Sequence, residues 1–171
     1  TLVVREIKER YDAKEFVLGS TDGSPLPYFR AGQYLSIKTK IGSSYTSRPY
    51  SICSSPKEAL NGRVSVMIEN YPEGFVAPYL YKNLKVGDIV TTSSPMGSFY
   101  YEPLRDGKNV VALAGGSGVT PFISMAQAIC DGVEDFNLIL LYGSRNREAI
   151  YFKDELDRIQ ALTDKVKVID R

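Results

Sequence analysis

Val110-Val111-Ala112-Leu113-Ala114-Gly115-Gly116-Ser117-Gly118-Val119-Thr120-Pro121-Phe122-Ile123-Ser124-Met125 is the stretch on which the reading of this chain turns. A short apolar run that ends on glycines reads as a buried parallel strand. Thr120 followed by Pro121 reads as an N-cap and first helical residue, because Thr accepts from an orphan N–H and Pro lacks one. A strand therefore stops, turns on glycines and starts a helix. Glycine lets a ligand touch the backbone, and a helix start offers free N–H groups with a partial positive charge. That combination suits a phosphate or pyrophosphate. Pro121 stands where the dinucleotide fingerprint has its third glycine, and no Gly-Lys-Ser/Thr of a P-loop is present. Taken alone, the turn is equally a plain connection between strand and helix.

Upstream, Arg48-Pro49-Tyr50-Ser51 lies in a β-type run. Alternation puts Arg48 and Tyr50 on one strand face. A guanidinium takes a phosphate bidentately, and a phenol beside it offers a flat wall to an aromatic ring. The bland alternative is a core tyrosine next to a solvated arginine, and spacing alone does not separate the two.

The pattern along the chain divides it. Leu2–Glu9, Glu15–Gly19, Gln33–Lys40, Ser47–Cys53, Arg63–Glu69 and Asp88–Ser93 read as short strands, which predicts an antiparallel six-stranded barrel with one helix at Ala77–Asn83. After Pro103 the character changes. Strand Val110–Ala114, helix Pro121–Asp131, strand Phe136–Tyr142, helix Glu148–Ala161 and strand Val166–Ile169 alternate, the signature of a parallel α/β sheet. Phe152, Leu156 and Ile159 recur at helical spacing as a core-facing stripe. The boundary falls in Pro103–Lys108, giving domains 1–104 and 105–171. A doubly wound sheet normally has about five or six strands, so the second domain is expected to be the N-terminal half of a larger one.

Composition narrows the function. The 171 residues carry a formal net charge of +1, with 43% hydrophobic and 24% charged residues, so a soluble globular protein with no pull toward nucleic acid is expected. No apolar run is long enough to span a membrane. With no histidine in the chain, no mechanism here uses a histidine base or ligand. Two cysteines, Cys53 and Cys130, lack metal-ligand spacing and read as reduced, buried thiols of a cytoplasmic protein. The first residue, Thr1, suggests a processed chain or a piece of a longer one.

Arg48-Pro49-Tyr50-Ser51 followed by Gly115-Gly116-Ser117-Gly118-Val119-Thr120-Pro121 resembles the ferredoxin–NADP reductase superfamily. Further matches are Ala31-Gly32-Gln33-Tyr34, Leu84-Lys85-Val86-Gly87-Asp88, Pro95-Met96-Gly97-Ser98-Phe99 and Tyr142-Gly143-Ser144-Arg145. The resemblance implies a flavin-binding barrel followed by an NAD(P)-binding α/β domain. It implies that Arg48 binds flavin phosphate, Tyr50 packs on the flavin, and Ser51 reaches the N5 edge. It also implies that Gly115–Pro121 receives the nucleotide pyrophosphate with Thr120 beside the nicotinamide. Ser51 and Thr120 would be the catalytic pair, and Tyr100 and Tyr101 candidates for the flavin's outer edge.

Two departures stand out. The family's Gly-x-x-Ser at a helix start is Gly74-Phe75-Val76-Ala77 here, which loses a hydroxyl; FAD is expected, with FMN open. The family's Cys-Gly segment and any terminal aromatic over the flavin do not occur in this sequence. No cysteine cluster for an iron–sulfur centre occurs either, so such a partner or fused domain would lie outside Thr1–Arg171. The expected function is an NAD(P)H-dependent flavoprotein reductase that passes electrons to a haem or iron–sulfur partner. The alternatives are an electron-transfer subunit with a vestigial nucleotide site and, weaker, a barrel without cofactor. Ser144, Arg145 and Arg147 after the second parallel strand suit the 2′-phosphate of NADPH, although Arg145 also resembles an arginine of NADH-using members.

Overall fold

In the computed structural model, which describes residues 1–170, strands β1 (Leu2–Arg10) and β2 (Ala13–Gly19) form a hairpin around Tyr11-Asp12. β2 continues antiparallel into β5 (Arg63–Glu69), and β1 pairs with β6 (Ile89–Thr92). Beyond β6 lie β3 (Tyr34–Ile41) and β4 (Ser44–Ser51), giving the sheet order β4-β3-β6-β1-β2-β5. The sheet curls until its edges meet only at an isolated bridge, Ile52 to Val66, beside which Cys53 N–H donates to the Ser65 carbonyl at 2.9 Å. It is barrel-like and not closed. Phe16, Leu18, Leu35, Ile37, Ile52, Val66 and Ile68 fill its interior, and helix α1 (Ala77–Asn83) adds Leu80 to that core.

β2 is buried along almost its whole length and does not alternate. The reason is that its outer face is covered too: Ala13, Met67 and Cys53 belong to the core of the second domain, while Phe16 and Leu18 belong to the barrel's. A strand covered on both sides is buried without alternation, the charged Glu15 included because Arg10 pairs with it.

The connection between the sheets is held tightly. Gly32 sits at φ +105, and a Cβ there would lie 2.0 Å from the Phe99 carbonyl oxygen, so only glycine fits. Phe99 meets Phe122 edge-on at 5.7 Å, and Tyr101 stacks on Phe136 at 4.2 Å. Tyr101 is thereby a core residue and is withdrawn as a wall for a flavin edge.

The second sheet is parallel, in the order β7 (Asn109–Gly115), β8 (Asn137–Gly143), β9 (Val166–Asp170). Helices α2 (Thr120–Cys130) and α3 (Lys153–Leu162) join the core on one face, while Val111, Leu113, Ile139 and Ile169 are exposed. The predicted helix Glu148–Ala161 is broken. A 3₁₀ turn at Arg147–Ala149 is followed by buried Ile150, Tyr151 and Phe152, and Phe152 takes the left-handed conformation at φ 60. The three apolar residues dive toward the barrel, and α3 starts only after them. Phe152 therefore precedes the helical stripe instead of opening it.

What draws Phe152 inward is the β1–β2 hairpin. The Arg10 guanidinium lies over the Phe152 ring at 4.4 Å and pairs with Glu15 at 2.5 Å and with Glu155 of α3. Burial works to raise the Glu155 carboxyl, but the Arg10 hydrogen bonds, a backbone hydrogen bond and the attraction of Arg10 and Lys8 together outweigh it and hold it below its ordinary 4.5. A carboxylate whose folded pKa is depressed contributes stability above its unfolded pKa and loses it as pH falls through the folded value. Glu155→Gln should therefore lower the melting temperature by about 4 °C at neutral pH, about 1–2 kcal/mol for a chain of this size. Melting curves across pH should show that gap closing as the solution is taken below pH 4.5; a gap independent of pH would count against the ion pair.

Candidate functional site

β7 and β8 end at the same level because Gly115 pairs with Gly143 in parallel register. Ligands of open α/β sheets bind at these carboxyl ends. The chain then passes through a 3₁₀ turn, Gly116–Val119, into α2. Of the three glycines only Gly116 has positive φ, +51. The others answer a different need. A Cβ on Gly116 or Gly118 would meet nothing within 4 Å, and one on Gly115 only the Gly143 oxygen at 4.0 Å. The bare backbone thus faces open space, a cradle that side chains would fill. A cavity of about 470 Å³ lies there, lined by Glu69, Gly115, Gly116, Ser117, Gly143, Ser144, Arg145, Ala149 and Tyr151.

Thr120 departs from its expected part. It is the first residue of α2, not the N-cap, which is Val119, and its hydroxyl donates to the Ser117 carbonyl at 2.9 Å. The 3₁₀ turn already carries the chain into helical geometry, so no side-chain cap is needed. Pro121 follows inside the first turn, where its missing N–H costs nothing.

Tyr142 braces the cradle from beneath. Its hydroxyl donates to the Gly116 carbonyl and accepts from the Tyr151 N–H, both at 3.1 Å. Burial pushes this phenol up to about 12, so it remains a donor at every working pH. Tyr151 in turn donates to Asp12 at the β1–β2 turn. Its phenol is also pushed up, by burial first and then by that carboxylate.

On the barrel, β4 carries Arg48, Pro49, Tyr50 and Ser51 opposite Ile37, Ser36, Leu35 and Tyr34 of β3. Arg48 is exposed, and its guanidinium donates only to Thr46 Oγ1 at 3.1 Å and the Ser47 carbonyl at 2.9 Å. Among the described residues no carboxylate neutralises it. Tyr50 is half-buried against the barrel core, with burial raising its phenol. An uncompensated cation and a flat, half-covered ring on one strand face fit a flavin nucleotide. Ser51 is half-buried on the opposite face. Gly74 is fixed by its N–H donating to the Tyr71 carbonyl at 2.8 Å, Phe75 is 62% exposed, buried Val76 anchors the turn and Ala77 opens α1.

The structure gathers Gly115, Gly116, Ser117, Ser144 and Arg145 into one cavity, with exposed Gly118 beside it and Thr120 and Pro121 behind. Arg48 to Ser51 stand in β4 of the other sheet, and Gly74 to Ala77 in the turn that opens α1. Sequence reasoning missed Asp12, Glu69 and Tyr151. Asp12 falls between two expected strands and Glu69 ends another, and nothing local points either of them at a glycine loop far along the chain. Buried Cys53, its thiol pushed well up by burial, bears out its reading as a small core residue.

An antiparallel barrel-like sheet with an unpaired arginine, followed by a parallel sheet with a glycine cradle, defines a flavin- and nucleotide-binding oxidoreductase. Comparison with known proteins agrees: residues 5–101 match the oxidoreductase FAD-binding domain family and residues 112–170 the oxidoreductase NAD-binding domain family. The chain belongs to the ferredoxin–NADP reductase superfamily, and its cofactors are FAD and NAD(P)H. It is 36% identical over 154 residues to a flavohemoprotein of Candida albicans, covering 88% of this chain and 37% of the relative. It is 35% identical over 143 residues to the carnitine monooxygenase reductase subunit of Escherichia coli, covering 84% of this chain and 43% of the relative. The chain thus spans about two fifths of the length of these curated relatives. Among solved structures, phthalate dioxygenase reductase superposes with a TM-score of 0.83 at 27% identity, over 99% of this chain and 50% of the other. No helix among the described residues is long and apolar enough to cross a membrane.

Tyr142→Phe should test the brace. It orphans the buried Tyr151 N–H, so urea unfolding should show a loss of about 1–3 kcal/mol, with nucleotide affinity falling alongside. Unchanged stability would mean the loop does not depend on this hydroxyl.

Proposed function

We propose that this chain is the flavin- and nucleotide-binding part of an NAD(P)H-dependent reductase that delivers electrons to a haem or iron–sulfur centre, in a partner protein or a fused domain. The observation that carries this reading is the open glycine cradle at the paired ends of β7 and β8, in one chain with the uncompensated Arg48 beside Tyr50. The kinds of relatives support it: one is named a flavohemoprotein, another a reductase subunit of a monooxygenase. Phthalate dioxygenase reductase is described as transferring electrons from pyridine nucleotides to a [2Fe–2S] centre. The division into a flavin domain, 1–104, and a nucleotide domain, 105–171, belongs to the same proposal. Two free thiols, one of them sealed in the core, suit the reducing cytoplasm.

In this reading Arg48 holds the flavin phosphate, Pro49 stiffens the strand and Tyr50 lies against the ring system. Backbone groups of Gly74, Phe75, Val76 and Ala77 meet the pyrophosphate. Gly115, Gly116, Ser117 and Gly118 receive the pyrophosphate of the nicotinamide nucleotide, with Ser144 and Arg145 at its ribose. Ser51 would stand at the flavin and Thr120 at the nicotinamide. Bound flavin supplies the hydride-accepting and electron-splitting chemistry. The protein's part is to set stacking distance and exclude water, which requires no acid or base and is compatible with a chain without histidine.

Arg48→Ala removes a charge-assisted phosphate contact of about 1.5–3 kcal/mol, so the purified variant should lose most of its visible flavin absorbance on dilution. Retention of full flavin would remove Arg48 from the site. Ser51→Ala should slow flavin reduction in anaerobic rapid mixing more than it weakens flavin binding; an unchanged rate rules Ser51 out. Flavin that is bound yet not reduced by either NADH or NADPH would instead make the chain an electron-transfer subunit.

A further inference from the structure

The cavity over the glycine cradle is not built by the nucleotide domain alone. Glu69, the last residue of β5, lines it together with Gly116, Ser144 and Arg145. Asp12, at the tip of the β1–β2 hairpin, reaches the same wall, because Arg145 Nη2 donates to Asp12 Oδ2 at 3.3 Å. We propose that Asp12 and Glu69, two carboxylates supplied by the flavin-binding sheet, make this cavity select NADH, with its free ribose 2′-hydroxyl, against the 2′-phosphorylated NADPH. The inference rests on the cavity being the nucleotide site.

From the sequence, Arg145 and Arg147 suited a phosphate dianion. In the structure Arg145 is paired and Arg147 lies off the cavity. Arg145 is already matched by Asp12, so an incoming phosphate would have to share the guanidinium with a carboxylate of the same sign. Asp12 is held from its other oxygen by the Tyr151 hydroxyl, which fixes its position. Arg147 is exposed and does not line the cavity. Glu69 is half-buried and, among the described residues, makes no ion pair or side-chain hydrogen bond. The cavity lining therefore holds Arg145 and Glu69, with Asp12 paired to Arg145 just outside it.

A free 2′-hydroxyl meets these groups differently. It is a donor, and a carboxylate at the ribose accepts from it, as the acid at the end of the second strand does in a βαβ site. Here β8 runs into Tyr142-Gly143-Ser144-Arg145 and has no acid of its own. The acid arrives instead from the other sheet.

Isothermal titration of the flavin-loaded protein with NAD⁺ and with NADP⁺ tests this without turnover. NAD⁺ should bind about tenfold tighter, and the ratio should shrink as salt is raised. Asp12→Asn keeps an acceptor for Tyr151, and Glu69→Gln disturbs no hydrogen bond. Each should tighten NADP⁺ by about three- to tenfold and weaken NAD⁺ by about two- to fivefold, opposite changes that general loosening of the fold would not produce. Equal or tighter binding of NADP⁺ by the parent protein, or a ratio that neither variant moves, overturns the selectivity while leaving the nucleotide site standing. Binding of neither nucleotide overturns the site itself, and the proposal with it.

Discussion

The Arg10 guanidinium is the point through which the two sheets become one molecule. It projects from the end of β1, donates to the Glu15 carboxylate of its own hairpin, then reaches across to Glu155 while covering the Phe152 ring. Glu15 is 6% exposed, so the guanidinium also compensates a charge that could not otherwise be buried. The neighbouring turn residue extends the arrangement. Asp12 takes the Tyr151 hydroxyl and pairs with Arg145. Within three residues of one hairpin, the barrel thereby grips the start of α3, the segment before it and the loop after β8.

That grip explains features with no local cause. The left-handed Phe152 and the interruption of the expected helix follow from drawing Ile150, Tyr151 and Phe152 into the contact between sheets. Ser124 in the middle of α2 donates to the Ser54 carbonyl at 2.7 Å, and Gln127 accepts from the Ser55 N–H at 2.9 Å. α2 is therefore buried on nearly every side, with apolar residues toward the sheet and two polar groups satisfied by the barrel backbone. A helix fixed this firmly holds its N-terminal loop in one place, which a preorganised phosphate cradle needs.

The cradle and the flavin strand divide the chemistry between them. The cradle offers backbone and open space, and Tyr142 holds it at the proper height. The strand offers a cation that no carboxylate among the described residues quenches, next to a half-covered ring. Hydride passage between bound cofactors asks no proton transfer of the chain, which accords with a sequence without histidine.

Most strands, the change from antiparallel to parallel organisation and the glycine loop were legible in the sequence, because period-two alternation and Gly/Pro punctuation are local signals. Arg48-Pro49-Tyr50-Ser51 and Gly115 to Pro121 were legible as well, since each is a contiguous string whose chemistry resides in its own residues. What only the tertiary structure decided comes from contacts between distant segments. The broken helix before α3, the continuous burial of β2, the engagement of Thr120 with Ser117 and the replacement of Tyr101 from cofactor wall to core all arise that way. The charge of the nucleotide cavity is the clearest case. Arg145 alone suggests a phosphate, and its meaning changes once Asp12 and Glu69, from strands far earlier in the chain, stand beside it. A sequence records which charges exist, but Coulomb's law acts on the distances between them, and folding sets those distances.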